Sequence, residues 1–153
     1  MPLKYEIKEV AQQASLAIRT RTPLQSLAET IGKSYGIIGK YISEVKAQCT
    51  GAPFVIYYNM DMNDLDVEMG FPVDKKYAGN ENIKSSEVPG GKVLALTHIG
   101  PYNELERTYK EAMAYISENK IETTGIVCES YPNDPEVTPP AELQTDIMFY
   151  LKS

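Results

Sequence analysis

Hydrophobic residues recur at every second position, or in short runs, in eight segments of the chain, which is the pattern of β-strands. These predicted strands cover residues 4–10, 14–21, 53–59, 64–73, 83–88, 92–99, 125–131 and 143–151. The fourth strand alternates most regularly, with Leu65 and Val67 set against acidic residues. We expect its acidic face, formed by Asp64, Asp66 and Glu68, to point to solvent.

Two further segments carry hydrophobic residues at three- and four-residue spacing, which predicts helices. The first follows Pro23, a residue favoured at helix starts, and the second begins at Asn103, which forms a capping box with Glu106. The predicted buried stripes are Leu24, Leu27, Ile31, Tyr35, Ile38, Ile42 and Val45 in the first helix and Leu105, Tyr109, Ala112 and Ile116 in the second.

The first predicted helix also contains three glycines, Gly32, Gly36 and Gly39. Glycine destabilises an exposed helix, so their presence needs a reason. We interpret them as a sign of close packing against the sheet. A helix that yields when a ligand enters beneath it is the alternative.

The order strand-strand-helix-strand-strand occurs twice, in residues 4–73 and 83–151, with a polar linker between them. Strands 53–59 and 64–73 are predicted to form a hairpin, and Pro89-Gly90-Gly91 is predicted to be a hairpin turn. The sequence therefore predicts one α+β domain over residues 1–153. Its two pseudo-symmetric halves would place antiparallel sheets around a central pocket, with the helices behind.

Composition excludes several classes of function. The net charge of −6 and the absence of a Lys/Arg run argue against direct binding to nucleic acid. The N-terminus has no apolar stretch typical of a signal peptide, and no window approaches the length of a membrane span, so we expect a cytoplasmic protein without a membrane partner.

Cofactor and metal sites are not predicted either. Cys49 and Cys128 are far apart in the sequence, and we expect both to be reduced thiols in the core or on the surface. His98 is the single histidine, without the ligands of a metal site or the partners of a catalytic triad, and we expect it to be structural or exposed. No glycine-rich phosphate loop opens a helix.

One acidic residue does not fit the strand that contains it. In strand 125–131, alternation places Val127, Glu129 and Tyr131 on one face and Cys128 with its neighbours on the other. We expect the Cys128 face to pack on a helix and the Glu129 face to line a mixed pocket. A buried carboxylate needs a partner or a proton, and a ligand cation is one such partner. A glutamate that points to water at the strand end is the alternative.

Tyrosine is unusually frequent: the chain has 11 tyrosines but 3 phenylalanines and no tryptophan. A tyrosine ring offers an apolar face to planar or cationic ligands and a polar tip for hydrogen bonds. The tyrosines predicted to lie near the pocket are Tyr57, Tyr58, Tyr102, Tyr109, Tyr131 and Tyr150.

Three stretches carry a family resemblance: HIGPYNELERTY at residues 98–109, GIVCESY at 125–131 and PAELQTDIMFYL at 140–151. Together they resemble the GyrI-like small-molecule-binding domain. This family includes the effector-binding domains of AraC-type and MerR-type transcription activators and stand-alone members such as a DNA gyrase inhibitor. The resemblance spans nearly the whole chain and implies a duplicated fold of the SHS2 type.

The resemblance also implies an aromatic pocket between the two halves, with a glutamate near its bottom that offsets the charge of lipophilic cations. Glu129 matches that glutamate, and Tyr102 matches the tyrosine of a Gly-Pro-Tyr junction. The predicted ligand-binding residues are Glu129, Tyr131, Tyr102, Tyr57, Tyr109 and Phe149. The leading prediction is a stand-alone protein that binds hydrophobic or cationic small molecules; its oligomeric state stays open.

Two other functions stay open. A second branch of the family resembles hydrolases of strained cyclopropane-bearing natural products, in which Glu129 would act as the general base and a tyrosine as the proton donor. That branch tends to have tryptophan in the pocket, which this chain lacks. A protein-interaction module of the gyrase-inhibitor type would use the acidic face of strand 64–73. The sequence contains no helix-turn-helix before Tyr5, so direct control of transcription is not expected.

Overall fold

The computed structural model of the chain describes residues 3–134 and 136–152. Its strands are β1 (Glu6–Val10), β2 (Gln13–Thr22), β3 (Phe54–Tyr57), β4 (Leu65–Pro72), β5 (Lys84–Val88), β6 (Gly91–Ile99), β7 (Thr123–Ser130) and β8 (Gln144–Leu151), and its helices are α1 (Leu27–Val45) and α2 (Leu105–Glu118). All ten predicted elements are present. The predicted proline-bearing loop 132–140 includes residue 135, which lies outside the described residues.

The eight strands form one curled antiparallel sheet, which confirms the α+β class. Their order is β1-β6-β8-β7-β3-β4-β2-β5, so the two halves are joined in a single sheet by the pairing of β3 with β7. The pseudo-symmetry is visible in this order, because β1 pairs with β6 of the second half and β5 pairs with β2 of the first half. Each half therefore contributes its first strand to the edge of the other.

The predicted hairpin of β3 and β4 is confirmed, but the predicted hairpin at Pro89-Gly90-Gly91 is wrong. β5 and β6 lie in different parts of the sheet, and residues 89–91 carry the chain across between them. This connection passes close to the one between β1 and β2: a Cβ atom on Gly90 would lie 2.6 Å from the backbone nitrogen of Gln12. Glycine is needed there for the close approach.

Each helix is preceded by a short 3₁₀ turn, Leu24–Ser26 before α1 and Tyr102–Glu104 before α2. The predicted capping box is therefore wrong. Pro101 starts the 3₁₀ turn, Asn103 lies inside that turn, and α2 begins two residues later than expected, without a hydrogen bond from a capping side chain.

The three glycines of α1 are not explained by close packing, so that interpretation is wrong. A Cβ atom built on Gly32, Gly36 or Gly39 would meet no atom within 4 Å, because all three lie on the exposed side of the helix. The buried side of α1 carries Ile38 and the half-buried Leu27, Ile31 and Tyr35.

The sheet has two differently covered faces. On one face, both helices pack on the sheet: Val127 contacts Ala112 and Ile116 of α2 in one cluster, and Val55 lies with Ile31 of α1 in another. We call this the helix face. The opposite face carries a cluster without helix residues, formed by Ala17, Phe54, Ile56, Val88, Val93, Cys128 and Tyr150.

Two predictions about these faces are wrong. Cys128 lies on the face opposite the helices, although we expected it to pack on a helix. Glu129 lies on the helix face, so the helices cover the acid directly instead of packing on the far side of the sheet from it. Glu68 does not point to solvent either, since it is 2% exposed on the opposite face. Asp66 and Asp64 form ion pairs with Arg19 and Arg21, which leaves little of the expected acidic surface.

No helix in the described ranges is both long and apolar enough to cross a membrane. Cys49 is exposed and Cys128 is buried, and both are free thiols as expected.

Candidate functional site

Glu129 lies at the centre of the sheet, where the two halves meet. Its neighbours in the register are Val55 on β3 and Ile147 on β8, both of which are buried. The alternation of β7 directs the Glu129 side chain to the helix face, and the helices leave it only 4% exposed. The alternative of a hydrated glutamate at the strand end is therefore excluded.

Both carboxylate oxygens of Glu129 accept hydrogen bonds from tyrosine hydroxyls. Tyr131, two residues further along the chain, donates to Oε1 over 2.6 Å. Tyr109 of α2 donates to Oε2. The carboxylate is thus held between the sheet and α2 by two phenolic groups.

No lysine or arginine within the described ranges forms an ion pair with Glu129. Burial raises the pKa of its carboxyl group, because the charged form loses its hydration. The two tyrosine hydrogen bonds and the nearby His98 act in the opposite direction and do not cancel that effect. Glu129 is therefore an acid that is hydrogen-bonded but lacks a countercharge.

Aromatic rings enclose this acid. Tyr102 meets Tyr131 edge to face at 5.8 Å between ring centroids, and Tyr109 meets Phe149 in the same manner at 6.0 Å. Tyr57 lies close enough that burial and the charge of Glu129 both raise the pKa of its phenol. The five other residues predicted for the site are thus grouped around Glu129, and the role of all six in binding is a proposal.

Tyr35 of α1 is a seventh member of this group that the sequence placed only in a helix stripe. Burial raises the pKa of its phenol, with smaller contributions from Tyr57 and Glu129. Its hydroxyl donates to the backbone oxygen of Phe54 over 2.8 Å and so ties α1 to β3. Tyr35 carries a polar hydroxyl in an otherwise aliphatic helix stripe, and that was the sequence signal from which its place near Glu129 could have been predicted.

Two of the tyrosines that we expected near the pocket lie on the other face. Tyr58 donates to Glu68 Oε1 over 2.8 Å, and Tyr150 donates to the backbone oxygen of Pro89 over 2.8 Å. Neither borders Glu129. Tyr150 belongs to the apolar cluster on the opposite face, next to the connection between β5 and β6, and its role there is structural.

His98 is structural, in agreement with the first of its two expected roles. It is 4% exposed on β6 and both ring nitrogens have partners. Nδ1 lies 2.6 Å from Thr108 Oγ1, and Nε2 lies 3.1 Å from the backbone oxygen of Pro101, which can only accept. The imidazole thus ties β6 to the start of α2.

A cavity of about 1430 Å³ opens beside this region, along β1 and β6. Its lining includes Leu96, His98, Thr108 and Ile147 but not Glu129. Ile147 is the register partner of Glu129, so the cavity reaches the strand next to the acid. In this conformation, tyrosine side chains fill the space directly above Glu129.

An eight-stranded antiparallel sheet with two helices over a tyrosine-enclosed acid defines a domain of the small-molecule-binding class. The sequence matches the GyrI-like small molecule binding domain over residues 3–152. The chain belongs to this family. No curated protein is detectably similar to it in sequence.

Several solved structures share the fold. EcmrR in complex with DNA is 22% identical with a TM-score of 0.85, over 99% of this chain and 58% of that one. The chain therefore spans little more than half of that regulator. The C-terminal domain of EcmrR alone is 21% identical with a TM-score of 0.83, over 100% of this chain and 99% of that domain.

Two further solved structures share the fold at lower sequence identity. SAV2435 bound to tetraphenylphosphonium is 12% identical with a TM-score of 0.72, over 98% of this chain and 94% of that one. A hydrolase from Listeria innocua is 13% identical with a TM-score of 0.66, over 97% of this chain and 92% of that one. At these identities the likeness concerns the fold alone.

Proposed function

We propose that this protein binds lipophilic cations in the space between the helices and the sheet, with Glu129 as the counterion. The observation that carries the proposal is a carboxylate 4% exposed that has two hydroxyl donors and no cationic partner. A ligand cation would supply the missing charge. The surrounding rings would supply apolar contact and cation–π attraction.

Binding requires the site to open, because tyrosine side chains occupy it in the closed conformation. Rotation of Tyr109 or Tyr131 away from Glu129 would free one carboxylate oxygen and vacate a ring-sized space. The attraction between a desolvated carboxylate and a cation is strong enough to offset the loss of such a hydrogen bond. Ligand binding would also favour the ionised acid, so affinity should rise with pH through the raised pKa of Glu129.

Tetraphenylphosphonium is the appropriate first probe, since SAV2435 of the same fold is bound to it. It carries a delocalised positive charge inside four phenyl rings and has no hydrogen-bonding group. We expect micromolar binding by isothermal titration calorimetry at pH 8. Glu129→Gln should weaken that binding by roughly 30-fold or more, since loss of one partner of a buried charge pair costs about 2 kcal/mol or more.

Glu68→Gln is the matched control. The substitution is the same, and Glu68 is equally buried, but it lies on the opposite face. Its affinity for tetraphenylphosphonium should stay within twofold of the wild type. Equal binding by the wild type and Glu129→Gln would remove Glu129 from the proposed role.

Hydrolysis of strained electrophiles is the second candidate, favoured by the pairing of an acid with two phenolic proton donors. Against it, each oxygen of Glu129 already accepts a hydrogen bond from a tyrosine, which lowers its basicity toward a water molecule. Incubation with a cyclopropane-bearing alkylator followed by mass spectrometry separates the two functions. A binding protein returns the compound unchanged, whereas a hydrolase adds water and loses that activity in Glu129→Gln.

A further inference from the structure

We propose that the ligand pocket extends from Glu129 along β8 to a second polar contact, the hydroxyl of Thr145, and that it selects cations bearing a hydrogen-bonding group. The inference rests on the proposed function and adds a ligand class to it. Thr145 lies beneath the start of α2, beside the cavity described above.

The hydroxyl of Thr145 is buried without a partner. The residue is 0% exposed, and its Oγ1 makes no hydrogen bond within the described part of the chain. A buried polar group in that condition costs about 1–3 kcal/mol, so its presence needs an explanation. A bound ligand group that completes the hydrogen bond is one.

None of the polar groups near Thr145 in the described ranges forms a hydrogen bond with its hydroxyl. Thr145 pairs with His98 on β6, whose two ring nitrogens contact Thr108 and Pro101. On the other side, the pairing of β7 with β8 ends at Ser130 and Asp146, the residues next to Tyr131 and Thr145. The Tyr131 hydroxyl donates to Glu129.

The position of Thr145 suits a ligand that also contacts Glu129. Glu129 pairs with Ile147, and Thr145 is two residues away on the same face of β8. Diagonal neighbours of this kind lie about 7–8 Å apart in a sheet, the span of one substituted phenyl ring. The cavity beside them is lined by Ile147, two residues from Thr145 on β8, and by His98, which pairs with Thr145 from β6.

A ligand that contacts Glu129 must displace the Tyr131 hydroxyl, because that hydroxyl donates to the carboxylate. Tyr131 packs with Val55 and Val67, on the side of Glu129 away from β8, so the approach to Thr145 would run along the cavity at Ile147 and His98. The expected ligand class is therefore an aryl cation with a hydroxyl or carbonyl group one ring away from its charge.

A pair of probes that differ in one hydroxymethyl group tests this. Wild-type protein should bind 4-(hydroxymethyl)phenyl-triphenylphosphonium about fivefold more tightly than tetraphenylphosphonium, the value of one ordinary hydrogen bond. Thr145→Val removes the hydroxyl with little change in shape, so the two probes should bind this variant equally.

Thr145→Ser keeps the hydroxyl and should keep the preference, which separates loss of the contact from damage to the fold. Ser15→Ala is the matched control, because Ser15 Oγ is likewise buried without a partner but lies on the opposite face. It should also keep the preference. Equal binding of both probes by the wild type, or a preference that survives in Thr145→Val, would overturn the inference. Failure of tetraphenylphosphonium itself to bind would instead refute the proposed function.

Discussion

Glu129 and Glu68 are both buried acids that accept hydrogen bonds from two hydroxyl groups, yet they lie in opposite surroundings. Glu129 is held by Tyr109 and Tyr131 on the helix face. Glu68 is held by Tyr58 and Ser86, each over 2.8 Å, on the opposite face. The two are 4% and 2% exposed, so burial alone does not distinguish them.

The difference is the presence of a positive charge. Arg19 lies opposite Glu68 in the register, and its guanidinium stacks 3.9 Å from the centroid of the Tyr58 ring that donates to Glu68. The same guanidinium hydrogen-bonds Asp66 and lowers the pKa of that carboxyl group. Glu129 has no lysine or arginine as an ion-pair partner in the described ranges, and the basic group that acts on it is His98. On our proposal, Glu68 with its nearby cation is a structural element, whereas Glu129 is available to a charged ligand.

Their covers differ as well. Glu68 is covered by β5, whose backbone is bonded into the sheet, and by the side chains of its own face. Glu129 is covered by the two helices, and α1 contains three exposed glycines and no capping side-chain hydrogen bond at its start. α2 contains no glycine and buries Thr108, Ala112 and Ile116. Glu129 thus lies beneath a cover that includes α1, a helix with three exposed glycines.

The largest expected effect that separates the two acids is on folding stability. Glu68→Gln should lower the free energy of unfolding at pH 7 by about 1–3 kcal/mol, since it weakens two hydrogen bonds to a charged group and removes the attraction to Arg19. Glu129→Gln should cause no loss, because it replaces a desolvated charge by a neutral group of the same shape. Urea denaturation of both variants measures this. An equal loss in the two would mean that Glu129 is as fully satisfied as Glu68.

Glu129 should contribute a pH dependence to the folding stability. In the unfolded chain its carboxyl titrates near the ordinary value of 4.5, and burial raises the folded-state pKa above that. Between these two values the folded protein binds more protons than the unfolded one, so stability falls as pH rises through that window and is constant above it. The loss should be about 1.4 kcal/mol for each unit by which the pKa is raised.

The difference between wild type and Glu129→Gln across pH 4–8 isolates this effect. The groups that face Glu129 are Tyr109, Tyr131, Tyr57, Tyr35 and His98. All five groups are retained in both proteins. A difference that does not change with pH would show that the folded-state pKa of Glu129 is ordinary.

The contrast between the two acids also marks the limit of what the sequence predicts. Periodicity located all ten elements and the alternation of β7, which are local properties. It placed Glu129 correctly inside because the flanking residues are apolar. It placed Glu68 wrongly outside, because strict alternation on β4 cannot reveal that side chains from β3 and β5 cover the second face.

The pairing of strands explains the other errors. The exchange of β1 and β5 between the halves depends on contacts distant in sequence, so the Pro89-Gly90-Gly91 segment resembles a hairpin turn locally. The group of side chains around Glu129 was predictable in part, since tyrosine is frequent in the composition and the acid is misplaced in its strand, but Tyr58 and Tyr150 of the six expected tyrosines lie on the other face. Thr145 was not predictable, because its significance is a missing hydrogen bond, which depends on how residues distant in sequence pack around it.

The smallest expected effect concerns the cover over Glu129. Gly36→Ala should raise the free energy of unfolding by about 0.5–1 kcal/mol, because alanine favours the helix and its Cβ meets no atom within 4 Å. Amide hydrogen exchange in α1 should slow accordingly. If α1 yields to admit a ligand, tetraphenylphosphonium should also associate more slowly with this variant.

Ala114→Gly, the reverse change at an exposed position of α2, should lower stability by a similar amount without faster exchange in α1. Unchanged exchange in α1 of Gly36→Ala would show that the glycines do not set the stability of the cover.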